Sequence, residues 1–525
     1  MVRDEGQVRH IMWAATLITA ATIVSRLLGF VRASLIADFF GQNARVDHYN
    51  AAYVLPDTLY LLLIGGAISS AFVPVIAGYL TRGESDEAER VLNASLTTVV
   101  VGLVPILALA ELFAPGVVRV VAVGFNGNPA AIAATAYLTR IMLIAVLFHG
   151  LNGVLIGAQY ARKSFWATAI GPLLYNLGII ALGFLFGRIW GIQAFAWGVL
   201  VGAFVNFLLE VYAVARLGFH YAVVWDLRHP GLRRVGQLMF PIMFGVGLGQ
   251  LNLVVNQTFF GSLLAAGTIN ALNLASRVMM VPVSLAASLA IAILPNLAEV
   301  AAAGDHQAFY RYLSGAMRVV IFVSVPATIG FWLVRTPLIA VMFQHGRFTG
   351  HDVSVTAAAL GFYVMGILPY GAMEVIVRGF YAYNDTRTPV WIGAVALIVG
   401  FLSSLLLMRP MQQAGLALAY SITGWTNLLL LMYMLRRRFG PIGATRMLRT
   451  GIRTLLAALV MAIGVAMTHV LVVAWTRSAH AAPRIVALVL MVGVGAALFA
   501  LASRRFHVEE YDLIVSRMFR RRLAR

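Results

Sequence analysis

Arg26 and Arg32 lie in "IMWAATLITAATIVSRLLGFVRASLIADFF", a run that otherwise has the composition of a lipid-soluble helix. A guanidinium at the centre of a bilayer costs at least about 2.5–3.5 kcal/mol, so such a group faces a cavity or a partner. With a rise of about 1.5 Å per residue, a helix ending near residue 40 puts Arg32 about 12 Å and Arg26 about 21 Å below that end. The same reckoning places Asp57 about 16 Å into the next apolar segment and Arg277 about 14 Å into a later one. Three arginines and one carboxylate therefore share a layer. Ser25 and Arg32 project from nearly the same helical face. Gly29, midway between the two arginines, omits a side chain where a ligand could approach. A single Arg–Asp57 pair could serve only to hold helices in register. Three arginines against one acid leave excess positive charge, and guanidinium forks suit phosphate oxygens. The pattern predicts a site for an anionic substrate that resides in lipid.

The elements that must position these groups follow from composition. Of 525 residues, 61% are hydrophobic and 11% charged, where soluble domains carry about a quarter charged. Mean hydropathy is +0.87. The fold class is an all-α polytopic membrane protein. With no Cys, disulfides, thiolate metal sites and cysteine nucleophiles are excluded. The net charge of +19 comes mostly from Arg in short loops, the form of a topology signal rather than of a nucleic-acid interface. Runs such as "RRR" at 436–438 and 520–522 fit orientation and attraction to anionic lipid. Apolar stretches fall at 11–40, 46–80, 89–115, 132–158, 166–188, 192–216, 232–262, 268–300, 313–335, 353–382, 389–409, 415–437, 449–475 and 484–504. That predicts about 14 transmembrane helices. The Lys and Arg bias between alternate loops predicts both termini in the cytoplasm.

The chain also repeats at an offset of 220 to 222 residues. "FFG" at 39–41 returns at 259–261, and "AISSAFVPVIA" at 67–77 aligns with "SLAIAILPNLA" at 288–298, setting Pro74 opposite Pro295. Arg90 maps to Arg311, Asn206 to Asn427 and Tyr212 to Tyr433. An even number of spans per copy predicts two pseudo-symmetric six-helix lobes around a central cavity, related by an axis along the membrane normal. The expected organisation is residues 1–225 and 226–440 as the lobes, then 441–525 as two additional helices with a basic cytoplasmic tail. Gly65, Gly66, Pro74, Pro241, Pro282, Pro295 and Pro326 are candidate bends.

Other titratable groups carry less. Glu111, Glu210 and Glu374 lie near helix ends, where a carboxylate can be solvated. Asp38 and Asp47 flank the first outer loop, where gating or capping is equally open. His149 and His469 are isolated and lack metal spacing. No P-loop, zinc motif or nucleophile elbow is present, so neither ATP use nor hydrolysis is expected, and no cofactor or metal.

"SRLLGFVRASLIADFFG", then "YVLPDTL" and "GGAISSAFVPVIAGY", and later "VMFQHGRFT", "RGFYAYNDTRTPV" and "GLALAYSI", together resemble the MurJ (MviN) family of lipid II flippases. The resemblance spans essentially the whole chain. It implies the multidrug/oligosaccharidyl-lipid/polysaccharide exporter fold and movement of undecaprenyl-pyrophosphate-linked peptidoglycan precursor between leaflets. It carries the family's cavity arginines onto Arg26, Arg32 and Arg277, with Ser25 beside the first, as pyrophosphate ligands. The acidic residue of the first outer loop carries over to Asp47. The last two helices, 449–504, take the place of a groove for the polyprenyl tail. Departures are also visible. Tyr60 stands where the family commonly has Arg, Gly65 where it has Glu, and Ala33 and Ser276 replace acids, while "LPD" replaces "LPN", so that Asp57 restores part of the lost negative charge. Asp57, Gly29, Asp47 and Tyr60 are the remaining cavity or gating candidates. Family members with a sodium site use carboxylates on the seventh helix; residues 232–262 contain none, so no such site is expected.

These readings converge on a non-enzymatic, alternating-access flippase in the bacterial inner membrane. Its expected partners are the glycolipid and the bilayer, with docking of cell-wall machinery left open, and it is expected to act as a monomer. The alternatives are a flippase for another polyprenyl-linked oligosaccharide, such as an O-antigen or capsule unit, and a polytopic glycosyltransferase. The latter needs carboxylates near a sizeable outer loop, and only Asp352 stands near one. A drug/cation antiporter would favour an acidic cavity.

Overall fold

Backbone N–H and C=O groups in lipid must be satisfied within the segment, so apolar runs of this composition fold as helices. The computed structural model describes residues 5–64, 67–383, 385–440, 443–476 and 480–512, and no strand occurs among them. Gly65, Gly66 and the basic tail from 513 lie outside the described residues, as do the side chains of Ser70 and Pro241. Eleven described helices are long and apolar enough to cross a membrane, against about fourteen expected. Three of the expected segments account for the difference. The expected segment 46–80 includes Gly65 and Gly66, which lie outside the described residues, so it is not counted as one span, and 232–262 ends in a π-helical turn, Val254–Phe259. The helix Arg387–Phe439 runs through Gln412, whose φ of 51° and ψ of −133° no right-handed helix contains, so it comprises two helices meeting at a kink.

The chain divides into two compact units, Met1–Ile269 with His345–Arg347, and Asn270–Gln344 with Phe348–Arg525. The first contains α1 (Glu5–Phe40), α2 (Ala44–Ile64), α3 (Ala67–Thr81), α4 (Ser85–Leu112), the short α5 (Ala114–Val121), α6 (Pro129–Ala161), α7 (Trp166–Trp190), α8 (Gln193–Ala215) and α9 (Pro230–Leu253). Its core has two parts. Ile36, Tyr49, Met142 and Phe195 join α1, α2, α6 and α8, while Phe72, Leu92, Leu155 and Val235 join α3, α4, α6 and α9. α7 and α8 meet backbone to backbone: a Cβ on Gly202 would sit 2.5 Å from the Tyr175 carbonyl oxygen, and one on Gly178 2.6 Å from the Gly202 Cα. Small residues give membrane helices this close approach. Asn128 caps α6, accepting from the Ala130 and Ala131 N–H groups at 3.1 and 3.2 Å. Residues 345–347 join this unit because the Arg347 N–H donates to the Asp38 carbonyl at 2.9 Å and His345 lies between Ser34 at 2.7 Å and Asp38 at 3.3 Å.

The second unit takes nearly all of α10 (Thr268–Ala302), then α11 (His306–Phe343), α12 (Gly350–Tyr363), α13 (Ile367–Ala382), α14 (Arg387–Phe439), α15 (Ala444–Thr476) and α16 (Ala481–Arg505). Phe309, Val320, Ile376, Phe380 and Leu431 form its main core. Val334, Met461, Val465 and Met491 pack the α15–α16 pair against α11. Thr349 and Asp352 form a reciprocal capping box on α12, worth about 1 kcal/mol. Leu471, Ile189 and Leu406 are more than 70% exposed, an apolar surface suited to lipid rather than water.

Candidate functional site

In the first unit, the two arginines of α1 occupy opposite environments. Arg32 is only 8% exposed. Its guanidinium carbon lies 5.8 Å from the Tyr53 ring centre, with no carboxylate paired to it among the described residues. Tyr53 stacks on Tyr49 and its hydroxyl bonds the Tyr175 hydroxyl at 2.7 Å. Tyr175 packs edge-on to His149, which packs on Tyr60 at 4.6 Å. Tyr60, expected in the cavity as a substitute for a cation, is thus one end of an aromatic chain whose other end covers Arg32. Arg26, two turns earlier, is exposed and makes neither ion pair nor hydrogen bond among the described residues. A Cβ on Gly29 would meet nothing within 4 Å, so helix packing does not require the glycine and the surface beside Arg26 is open.

Ser25 is not free to turn toward Arg32. Its hydroxyl lies 3.5 Å from the Pro172 carbonyl and accepts from Asn176 Nδ2 at 3.2 Å, tying α1 to α7. Asp57 accepts from Gln250 Nε2 of α9 at 3.3 Å. The register ion pair between Asp57 and Arg26 or Arg32 is absent. Asp47 is 3% exposed and accepts from the Gly267 N–H at 2.5 Å, so its carboxylate holds the turn before α10, where Gly267 has a φ of +92°.

In the second unit, Arg277 is half-buried on α10 and its Nε donates to Asn273 Oδ1 at 2.7 Å, one turn earlier. Ser276 donates back to the Asn273 carbonyl at 3.0 Å. Asn273 therefore orients the guanidinium, and no acid is needed at 276 to do so.

The weaker candidates resolve separately. Arg140 donates to the Glu111 carbonyl at 3.0 Å, and Glu374 pairs with Arg378 at 3.6 Å. Glu210, expected to be solvated, is instead 1% exposed, because α6 and α7 cover it. Its carboxylate accepts from Gln159 Nε2, and Gln159 Oε1 and Asn206 Oδ1 beside it lack partners among the described residues. Asp352 accepts from the Thr349 N–H within its capping box at the start of α12. Sequence reasoning missed Tyr53 and Tyr175, and it read His149 as isolated, whereas the ring packs between Tyr60 and Tyr175. The only local signal is the aromatic spacing of Tyr49, Tyr53 and Tyr60 on α2.

An open guanidinium on an apolar helix, a second buried under tyrosine, and a third oriented by an amide can each take phosphate oxygens through bidentate N–H donors. No cluster of His, Cys, Asp or Glu suited to a metal occurs among the described residues.

Residues 36–491 match the family described as Lipid II flippase MurJ. The chain is 31% identical over 428 residues to the lipid II flippase MurJ of Burkholderia cenocepacia, covering 80% of this chain and 83% of that protein. Among solved structures, a lipid II flippase MurJ in an inward closed conformation matches with a TM-score of 0.78 at 22% identity, covering 93% of this chain and 99% of that one. A MATE transporter in complex with MaL6 matches at 0.59 and 12% identity, over 83% and 96% of the two chains.

Proposed function

The chain belongs to the lipid II flippase MurJ family, and from that premise we propose that it moves lipid II from the cytoplasmic to the outer leaflet of the bacterial inner membrane for peptidoglycan synthesis. The observation that carries this reading is the relationship itself, 31% identity across most of both proteins. The geometry adds a cation, Arg26, with no protein partner among the described residues, on a helix otherwise apolar enough to cross a membrane. An uncompensated intramembrane charge is a site for an oppositely charged ligand by default.

In this reading Arg26 and Arg32 of the first repeat and Arg277 of the second bind the pyrophosphate, while the polyprenyl tail stays in lipid along α15 and α16. Alternating access of the two repeated halves, with both termini cytoplasmic, carries the head group across. A substrate charge neutralised by arginine crosses without the full cost of a bare anion in hydrocarbon. The empty carrier is then more positive than the loaded one, and membrane potential favours its return, at about 2.3 kcal/mol per charge per 100 mV.

The test is complementation of a strain depleted of its lipid II flippase. Growth restored by the wild-type chain supports the reading. A well-inserted chain that fails to restore growth, yet restores export of another polyprenyl-linked glycan, overturns it in favour of an O-antigen or capsule unit.

A further inference from the structure

The second unit holds a polar cleft of about 260 Å³ where the start of α15, the first half of α11 and the segment after α16 meet. Arg446, Arg449 and Arg453 of α15 line it at spacings of three and four residues, which set them on one helical face; Arg318 of α11 lies opposite with Glu509 and Glu510. The chain is built to bring those acids back. His507 adopts φ +52°, and the Val508 N–H donates to the Ser503 carbonyl at 3.0 Å, which closes α16 and reverses the chain.

The acids are already committed. Arg318 pairs with Glu509 at 2.7 Å and with Glu510 at 3.3 Å, and Glu510, 1% exposed, also accepts from Thr450 Oγ1 at 3.2 Å. Arg453 donates to the His507 carbonyl at 2.8 Å. The guanidinium groups of Arg446 and Arg449 make neither hydrogen bond nor ion pair among the described residues. The sequence beyond residue 512 adds five arginines and no Asp or Glu. A topology signal needs only positive charge; it does not need arginines gathered round a concavity, where like charges repel. Two unspent guanidinium forks and a third held by a carbonyl form a receptor for a tetrahedral oxyanion.

We propose that this cleft binds a phosphate group, that of an anionic phospholipid at the membrane boundary where α15 enters, and so ties α11, α15 and the end of α16 together. The site is separate from the transport arginines and does not depend on which glycolipid is moved.

The test measures binding of phosphatidylglycerol and phosphatidylcholine to the purified full chain by native mass spectrometry, with inorganic phosphate as competitor. It compares wild type with Arg446→Gln/Arg449→Gln and with a control pair, Arg436→Gln/Arg437→Gln, which removes equal charge from an exposed run. The expected result is preference for phosphatidylglycerol, about tenfold weaker binding in the first pair and little change in the control. Displacement by millimolar inorganic phosphate would also support the cleft, and would make free phosphate its source. Equal binding of the two lipids, or equal loss in both pairs, overturns the proposal in favour of diffuse attraction. Monodisperse, folded protein in all variants excludes misfolding as the cause.

Discussion

The Arg32 guanidinium lies 5.8 Å from the Tyr53 ring centre, and Tyr53 is itself pinned by its hydroxyl to Tyr175. A cation–π contact is worth about 2 kcal/mol when desolvated, less than the several kcal/mol it costs to bury an ion. Desolvation therefore works against the tyrosine contacts of this cation, and no carboxylate among the described residues offsets it. A buried charge of this kind fits the proposed role of Arg32 as a pyrophosphate ligand.

Replacing Arg32 by Met keeps the volume and removes the buried charge. The thermal stability of the purified protein should hold or rise by about 1–2 kcal/mol, while complementation is lost. Arg26→Ala, at an exposed position, should move stability by no more than about 0.5 kcal/mol and also lose complementation. Unfolding of Arg32→Met, or full rescue by both variants, would make the two arginines structural.

Much of this was legible in the chain. Hydropathy places the helices because lipid leaves the backbone few alternatives, and Arg26, Arg32 and Arg277 stand out because charge in an apolar run is costly. What stayed hidden is tertiary. Tyr175 and His149 reach the Arg32 neighbourhood from α7 and α6, and the partner of Asp47 is Gly267, far along the chain. Glu210 sits near a helix end, which suggests solvation, yet neighbouring helices bury it. Asp352 looks like an available acid, although the residue three before it supplies the other half of a cap.

The burial of Glu210 gives a second prediction. Glu210→Gln keeps the shape and a partner for Gln159, and should cost less than about 1 kcal/mol. Glu210→Ala strands the Gln159 amide inside the unit and should cost about 2–3 kcal/mol. Melting curves in one detergent compare the two. A similar loss in both would mean that the charge, rather than the shape and hydrogen bonding, supports this region.

The contact between α7 and α8 gives a third. A Cβ on Gly202 would press on the Tyr175 carbonyl at 2.5 Å, and backbone cannot yield as a flexible side chain can. Gly202→Ala should destabilise by about 1–3 kcal/mol and weaken complementation through the position of Tyr175. Gly29→Ala, with open space around its Cβ, should leave the melting temperature unchanged. The idea fails if Gly202→Ala melts like wild type.

The last prediction concerns pH and lies outside the membrane. Burial alone would raise the Asp385 carboxyl, but the Thr388 hydroxyl and N–H donate to it, and Arg438 pairs with it. The donors and the guanidinium prevail and hold it below the usual carboxylate range. A group depressed on folding binds fewer protons in the folded state than in the unfolded one. Its contribution is therefore complete above the unfolded value, about pH 4, and disappears as pH falls through the lower folded value. Asp385→Asn keeps one acceptor for Thr388 and loses the charge. It should cost about 1 kcal/mol at pH 7, and the gap from wild type should close as the medium is acidified below about pH 4. Melting temperatures of the two proteins across that range provide the measurement. A gap that persisted unchanged at pH 3 would mean that Asp385 acts at the start of α14 through shape alone, with Arg438 contributing nothing.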